Sequence, residues 1–316
     1  MKVISYEDIV KLPITPECCY QWVSEMIEHK NLALLPPKIS MKPSDGVFCN
    51  VMPCIVKVGG MHRGGVKAVT RYPERNPSLD SKLMLFDADS GEFLALMDAN
   101  WITAMRTGAV AAHSIMLLAK KEFTKMGIIG LGNTARATMV VLSGLIWDRE
   151  LEIKLLRHKG QEQLFAERFS DRPNLKFTFV DTAEEAVKGS EVVISAATYL
   201  PNDLCADECF DEGVLVVPIH TLGFTNCDLF FDKVFADDYG HVCHFKNFDK
   251  FKSFAEVNDI VNGKAPGREN DKERILAYNI GVSMHDIYFA AQIYEMMDKE
   301  QLQDINLHEP TEKFWI

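Results

Sequence analysis

The sequence predicts an α/β protein built on a doubly wound parallel sheet, with a region of different character around it. Three observations carry this. Strand and helix patterns alternate from about residue 126 to 236, the order that builds a parallel sheet covered on both faces. The apolar run Met126 to Leu131 is punctuated by glycine and leads straight into a helical pattern. Residues 1 to about 95 instead carry prolines at 13, 16, 36, 37, 43, 53, 73 and 77 between short alternating runs.

Each element has its own signal. Val47–Val51, Val66–Val69 and Lys82–Phe86 alternate as strands of a mixed or antiparallel sheet do. Asp87-Ala-Asp-Ser-Gly91 is a turn sequence, so Leu83–Phe86 and Glu92–Met97 read as a hairpin. Asn100–Lys121 has helical apolar spacing and a basic end, which suits a helix C-terminus. Beyond Met126, Asn133–Trp147, Gln161–Phe169 and Thr182–Lys188 read as helices. Leu151–Leu156, Leu175–Val180, Glu191–Ala197, Gly213–Ile219 and Lys233–Ala236 read as strands. After about residue 275 a strand or loop precedes an apolar-faced helix that returns to the first region, making that region discontinuous.

The chain of 316 residues is 47% apolar and 25% charged, which excludes disordered and collagen-like classes. It contains no run near the about 18 apolar residues of a membrane span. Charges occupy the place of a signal-peptide core in MKVISYEDIV, so the expected compartment is the cytoplasm. Thirty-four basic against 45 acidic residues give a net charge of -11, unfavourable for a phosphate backbone. The eight cysteines (18, 19, 49, 54, 205, 209, 227 and 243) form no Cys-x-x-Cys pair, as expected of reduced thiols. Cys205, Cys209 and Cys227 before His241-Val-Cys243-His244 match no familiar zinc spacing, so no metal is expected.

Gly130-Leu-Gly132-Asn133-Thr134-Ala135 is a G-x-G-x-x-A loop in the right place, after a strand and at a helix start. Gly130 permits the tight turn, Gly132 lets backbone N–H groups approach a pyrophosphate, and Ala135 lets the helix pack closely. This predicts a Rossmann-type dinucleotide site. NAD enzymes usually end the second strand with an acid. Here it ends Leu156-Arg157-His158-Lys159, and two bases suit a 2′-phosphate. NADP(H) is therefore favoured, with NAD(H) as the alternative and a solvated basic turn as the structural reading. Arg106 stands in the otherwise apolar stretch Ile102–Ala109 and needs an anion, either a substrate carboxylate or an internal carboxylate.

Leu96-Met-Asp98-Ala-Asn-Trp-Ile-Thr103-Ala-Met-Arg106-Thr107-Gly-Ala followed by Ile129-Gly130-Leu-Gly132 resembles the ornithine cyclodeaminase/mu-crystallin family. Gly65-Val-Lys67 before Tyr72-Pro73, Asp87–Gly91, Ala186–Val193, Gly263–Arg268 and Tyr278-Asn-Ile-Gly281 to Asp286 extend the resemblance nearly end to end. It implies a Rossmann-type doubly wound parallel sheet inserted into a discontinuous α+β substrate/dimerisation domain. That places residues 1–122 plus 278–316 in the latter and 123–277 in the NAD(P)-binding domain. It also implies a homodimer acting on a small amino or imino acid.

By the same resemblance, Arg106 matches the arginine that holds a substrate carboxylate, and Lys67 the lysine beside the reacting imine. Lys38 stands where many members have arginine, and Ser78 falls near a substrate-contacting hydroxyl. Thr107, Asn133 and Thr134 fall on the cofactor side, as does Thr198 beside the nicotinamide. One departure matters. Cyclodeaminases carry an acid after the fifth strand of this sheet, suited to deprotonating the substrate amine. Here His220 or Thr221 takes its place, and His220 is the candidate acid/base. The expectation is an NAD(P)-dependent ketimine reductase or amino-acid dehydrogenase, the alternatives being an ornithine cyclodeaminase or a non-catalytic NADP-binding protein.

Overall fold

Two sheets organise the chain in the computed structural model, which describes residues 1–197, 200, 203–219, 229–307 and 310–314. The first sheet gathers seven strands: β1 (Lys2–Ile4), β2 (Ala33–Leu34), β3 (Ile39–Met41), β4 (Phe48–Val58), β5 (Met61–Arg71), β6 (Leu79–Asp87) and β7 (Phe93–Asp98). Their order is β1-β7-β6-β5-β4-β2, with β3 also on β4. All pairs are antiparallel except β1 with β7. The hairpin expected around Asp87–Gly91 is β6–β7, and Asp87 Oδ1 accepts the amide N–H groups of Asp89 and Ser90.

Pro53 sits inside β4, where an internal proline would normally break pairing. Its register removes the conflict. On that edge β3 pairs with residues 49–51 and β2 with residues 55–56, so Pro53 falls in the gap between them. Two helices precede β2: α1 (Tyr6–Ile9) and α2 (Pro16–Glu28). Thr15 caps α2 through the Cys18 amide, Pro16 occupies the first turn, and Cys19, Val23, Met26 and Ile27 form its buried face.

The helix α3 (Asn100–Leu118) follows β7 and is buried almost continuously from Arg106 to Ile115. Asp98 Oδ1 accepts the Asn100 N–H at its start, and Arg268 Nε donates to the Leu118 carbonyl at its end. The helix therefore stops at Leu118 rather than at Lys121, because Ala119 turns extended.

The second sheet is all parallel. Its strands are β8 (Lys125–Ile129), β9 (Leu151–Leu156), β10 (Leu175–Val180), β11 (Val192–Ser195), β12 (Leu215–Pro218), β13 (Lys233–Ala236), β14 (Phe254–Glu256) and β15 (Ile275–Tyr278). Their order is β10-β9-β8-β11-β12-β15-β13-β14. Between them run α4 (Asn133–Leu145), α5 (Gln161–Glu167), α6 (Ala183–Val187), α7 (Tyr239–Val242) and α8 (Val257–Val261). The strand order reverses between β8 and β11, and a ligand crevice is expected at the carboxyl ends of those two strands.

The chain leaves β15 through Gly281 and ends in α9 (Ser283–Met296), which packs on β4 and β5 of the first sheet and against α2 and α3. Gly108 brings α3 against α4: a Cβ there would lie 2.4 Å from the Ala137 carbonyl carbon. No described helix is long and apolar enough to cross a membrane.

Candidate active site

Four parts of the chain meet around one carboxylate. Lys67 lies on the inward side of β5, Arg106 two turns into α3, and Asp286 in the first turn of α9. Lys67 Nζ donates to Asp286 Oδ1 at 2.7 Å, and Arg106 Nε donates to the same oxygen at 2.9 Å. Lys67 and Asp286 are fully buried, and Arg106 is 5% exposed. Arg106 Nη1 and Asp286 Oδ2, both buried, have no hydrogen-bond partner. Lys38 enters from the segment between β2 and β3 and donates from Nζ to the Ile280 carbonyl at 3.2 Å.

Burial dominates the titration of this cluster. It pushes Lys67 down to about 7, aided by the Arg106 charge and opposed by Asp286. Lys38 is lowered for the same first reason. Burial alone would raise Asp286, but the charges of Arg106 and Lys67 reverse that and hold it below the usual range. The cluster thus has one firmly ionised acid beneath an arginine and two lysines, and an unpaired buried cation is costly. An anion delivered to Arg106 Nη1 would meet a donor that protein does not satisfy.

Asp237, just after β13, is also buried. Burial raises its pKa against the opposing Gly281 N–H, which donates to Oδ2 at 2.7 Å. Gly281 has φ +82 and stands over the guanidinium. His285, next to Asp286, is fully buried and pushed down to about 3 by burial and by Arg106, so it is neutral.

The dinucleotide loop lies at the expected crevice. Gly130 has φ +85, and a Cβ there would stand 2.4 Å from the Ala197 amide nitrogen at the end of β11. Gly132 precedes α4 with no side-chain cap, so the first-turn N–H groups face outward, and a Cβ at Gly132 would meet nothing within 4 Å. Ala135 is fully buried. This open glycine, uncapped helix start and close packing fit a pyrophosphate. Asn133 and Thr134 open the same helix. Thr107 neighbours Arg106 and donates its hydroxyl to the Thr103 carbonyl at 2.6 Å.

The basic turn after β9 is exposed at Arg157, His158, Lys159 and Gly160. Arg157 reaches Asp181 at 3.0 Å in an exposed pair, and Lys159 adopts φ 53. Ser78 stands apart from the cluster. It lies before the Arg71–Leu79 pair, four ladder positions from Lys67–Leu83, which is about 13 Å of strand. Its carbonyl accepts from Tyr72 N–H and Arg75 Nη2. Thr198, His220 and Thr221 lie outside the described residues. Among the described residues no three His, Cys, Asp or Glu side chains converge as a metal site.

Asp286 is the site residue that sequence reasoning left without a role. Its signal was an acid in the first turn of an apolar-faced helix.

The chain is 27% identical over 303 residues to N-((2S)-2-amino-2-carboxyethyl)-L-glutamate dehydrogenase of Staphylococcus aureus, covering 85% of each. It is 27% identical over 267 residues to Delta(1)-pyrroline-2-carboxylate reductase of Bacillus thuringiensis, covering 78% of this chain and 80% of the relative. The fold matches Thermococcus litoralis Delta(1)-pyrroline-2-carboxylate reductase, solved with NADH and L-proline, at TM-score 0.83 and 24% identity, covering 96% of this chain and all of that one. The sequence profile of the ornithine cyclodeaminase/mu-crystallin family matches residues 15–301, and the chain belongs to that family.

Proposed function

We propose that the protein is an NAD(P)-dependent oxidoreductase of α-amino and α-imino acids, working as a ketimine reductase or the reverse amine dehydrogenase. One observation carries the reading: Asp286 holds Lys67 and Arg106 together in a buried cluster that leaves Arg106 Nη1 without a partner. A substrate carboxylate completes that cluster. Arg106 grips it through its fixed fork, and Lys38 adds a point charge. Lys67, with its pKa near neutrality, gives a proton to the substrate nitrogen in one direction and takes it back in the other. The cofactor, when bound at Gly130–Ala135, supplies or accepts the hydride. The chain contributes orientation and a dry pocket.

NADP(H) is the cofactor we favour. The turn Arg157-His158-Lys159 offers exposed bases and no carboxylate of its own, and the Arg157–Asp181 pair is exposed enough to yield to a 2′-phosphate. Residues 1–122 plus 278–316 form the substrate part, and 123–277 the nucleotide part. Ser78 would reach substrate only at the outer rim, and His220 remains the candidate acid/base after β12.

A homodimer fits the edge of the first sheet, where Leu34 (67% exposed), Ile39 (60%) and Met41 (47%) leave apolar surface uncovered around β2 and β3. The cytoplasm fits a chain in which none of the seven described cysteines is in a disulfide.

The test is oxidation of NADPH and NADH with a panel of cyclic ketimine carboxylates and of 2-oxo acids plus amines, with ornithine assayed separately for proline and ammonia. Cofactor consumption with an imine is the expected result. Proline formed from ornithine without net cofactor consumption would establish a cyclodeaminase instead. Tight cofactor binding with no turnover of any of these would leave a binding protein.

A further inference from the structure

We propose that His241 is a positioning residue that latches Lys38 into the substrate site through the Lys38 backbone amide. The inference rests on the reading that Lys38 helps hold the substrate carboxylate.

His241 is 5% exposed and lies in α7, behind the site rather than in it. Its Nδ1 faces Asp238 Oδ1 at 2.7 Å, and its Nε2 faces the Lys38 backbone N at 3.3 Å. A backbone N–H only donates, so Nε2 must be the acceptor and Nδ1 must carry the proton. The carboxylate of Asp238 fixes that tautomer. Asp238 is itself anchored, because its other oxygen meets Lys30 Nζ at 2.8 Å, and Lys30 also meets Glu256 at 2.8 Å and the Asp237 carbonyl at 3.0 Å.

The segment that His241 holds suits a latch. Pro36 and Pro37 have no N–H and fixed φ, so Lys38 carries the first amide donor after a stiff pair. Gly240 lies alongside it: a Cβ built there would sit 3.6 Å from Pro37 Cγ, an ordinary van der Waals contact, and 3.1 Å from Asp238 Oδ1. The same loop also touches the Arg106 side of the site, since Asp237 Oδ2 holds the Gly281 N–H beside Arg106. Adjacent aspartates after β13 therefore set both cations meant for the carboxylate, Arg106 through Gly281 and Lys38 through His241.

Two substitutions separate latch from bulk. In His241→Asn the amide reaches the Nδ1 position and keeps a donor for Asp238, but offers nothing to Lys38. In His241→Gln the amide oxygen reaches the Nε2 position and keeps an acceptor for Lys38. Two quantities are read in the full-length protein: hydrogen exchange at the Lys38 amide, and substrate KM and kcat at saturating cofactor. We expect His241→Asn to speed exchange and raise KM by about tenfold each, with kcat within about twofold, the effect of one lost hydrogen bond. We expect His241→Gln to stay within about threefold of wild type.

Unchanged Lys38 exchange in His241→Asn, or equal defects in both variants, would overturn the latch. If exchange follows the expected pattern while the wild-type protein turns over no amino or imino acid, the latch stands and the substrate reading fails.

Discussion

Gly281 lies so close to Arg106 that a Cβ built on it would stand 2.5 Å from Arg106 Nη1. That nitrogen is the donor left without a protein partner. On the proposed function the glycine keeps open the space that a substrate carboxylate would take, and its φ of +82 disfavours any other residue. We expect Gly281→Ala to raise substrate KM by about tenfold or more, with about 1 kcal/mol lost from backbone strain. Kinetics and a denaturant melt on the same variant check both parts.

Removing the clamp itself should be more severe. Arg106→Ala is expected to lower kcat/KM by about 100-fold or more, since the proposed function assigns orientation of the substrate to it. Cofactor affinity, measured by fluorescence titration, should be unchanged because the dinucleotide loop is a separate element. Intact turnover would show that Arg106 serves only Asp286.

Asp286→Asn tests the other half of the pairing. It leaves Lys67 and Arg106 buried without their shared anion, and we expect a loss of about 3–5 kcal/mol in unfolding free energy. Added substrate carboxylate should restore part of that loss, seen as a larger ligand-induced rise in Tm than wild type shows.

The pH dependence follows from Lys67. Its folded pKa, about 7, lies below the ordinary lysine value of 10.5. Between these values the unfolded chain binds more protons than the folded one, so this group makes stability rise with pH across that window. For activity the two directions should mirror each other. Imine reduction needs the protonated amine and should fall as pH rises through about 7. Amine oxidation needs the neutral amine and should rise there. Both limbs should vanish from kcat/KM profiles in Lys67→Met.

The cofactor preference is checked at the turn after β9. The double substitution Arg157→Ala with Lys159→Ala should raise the KM for NADPH by about tenfold and leave that for NADH nearly unchanged. An equal effect on both would assign the bases to general electrostatics.

Local pattern made much of the fold readable. β9, β10 and β13 have the bounds expected from sequence: β9 and β10 alternate apolar with polar residues, and β13 is a short apolar run between Lys233 and Asp237. The helix α2 was not foreseen, since prolines at 13 and 16 suggest loop, although Thr15, Pro16 and the spacing of Cys19, Val23, Met26 and Ile27 form a helix signature. β4 outran its expected span because only the register of β2 and β3 shows why Pro53 is tolerated. In the site, Arg106 stood out as a cation in an apolar run, and Lys67 through the family resemblance. Asp286 and His241 did not, because their partners lie 219 and 203 residues away and only tertiary packing brings them together.

Gly108 has a wider consequence. At that point α3 and α4 touch backbone to backbone, with no side chain between them to slide or repack. The helix carrying Arg106 and the helix that begins at the dinucleotide loop are therefore joined at a contact that no side-chain rotation can relax. Swelling the α3–α4 contact with Gly108→Ala would then shift both binding sites together, and neither alone.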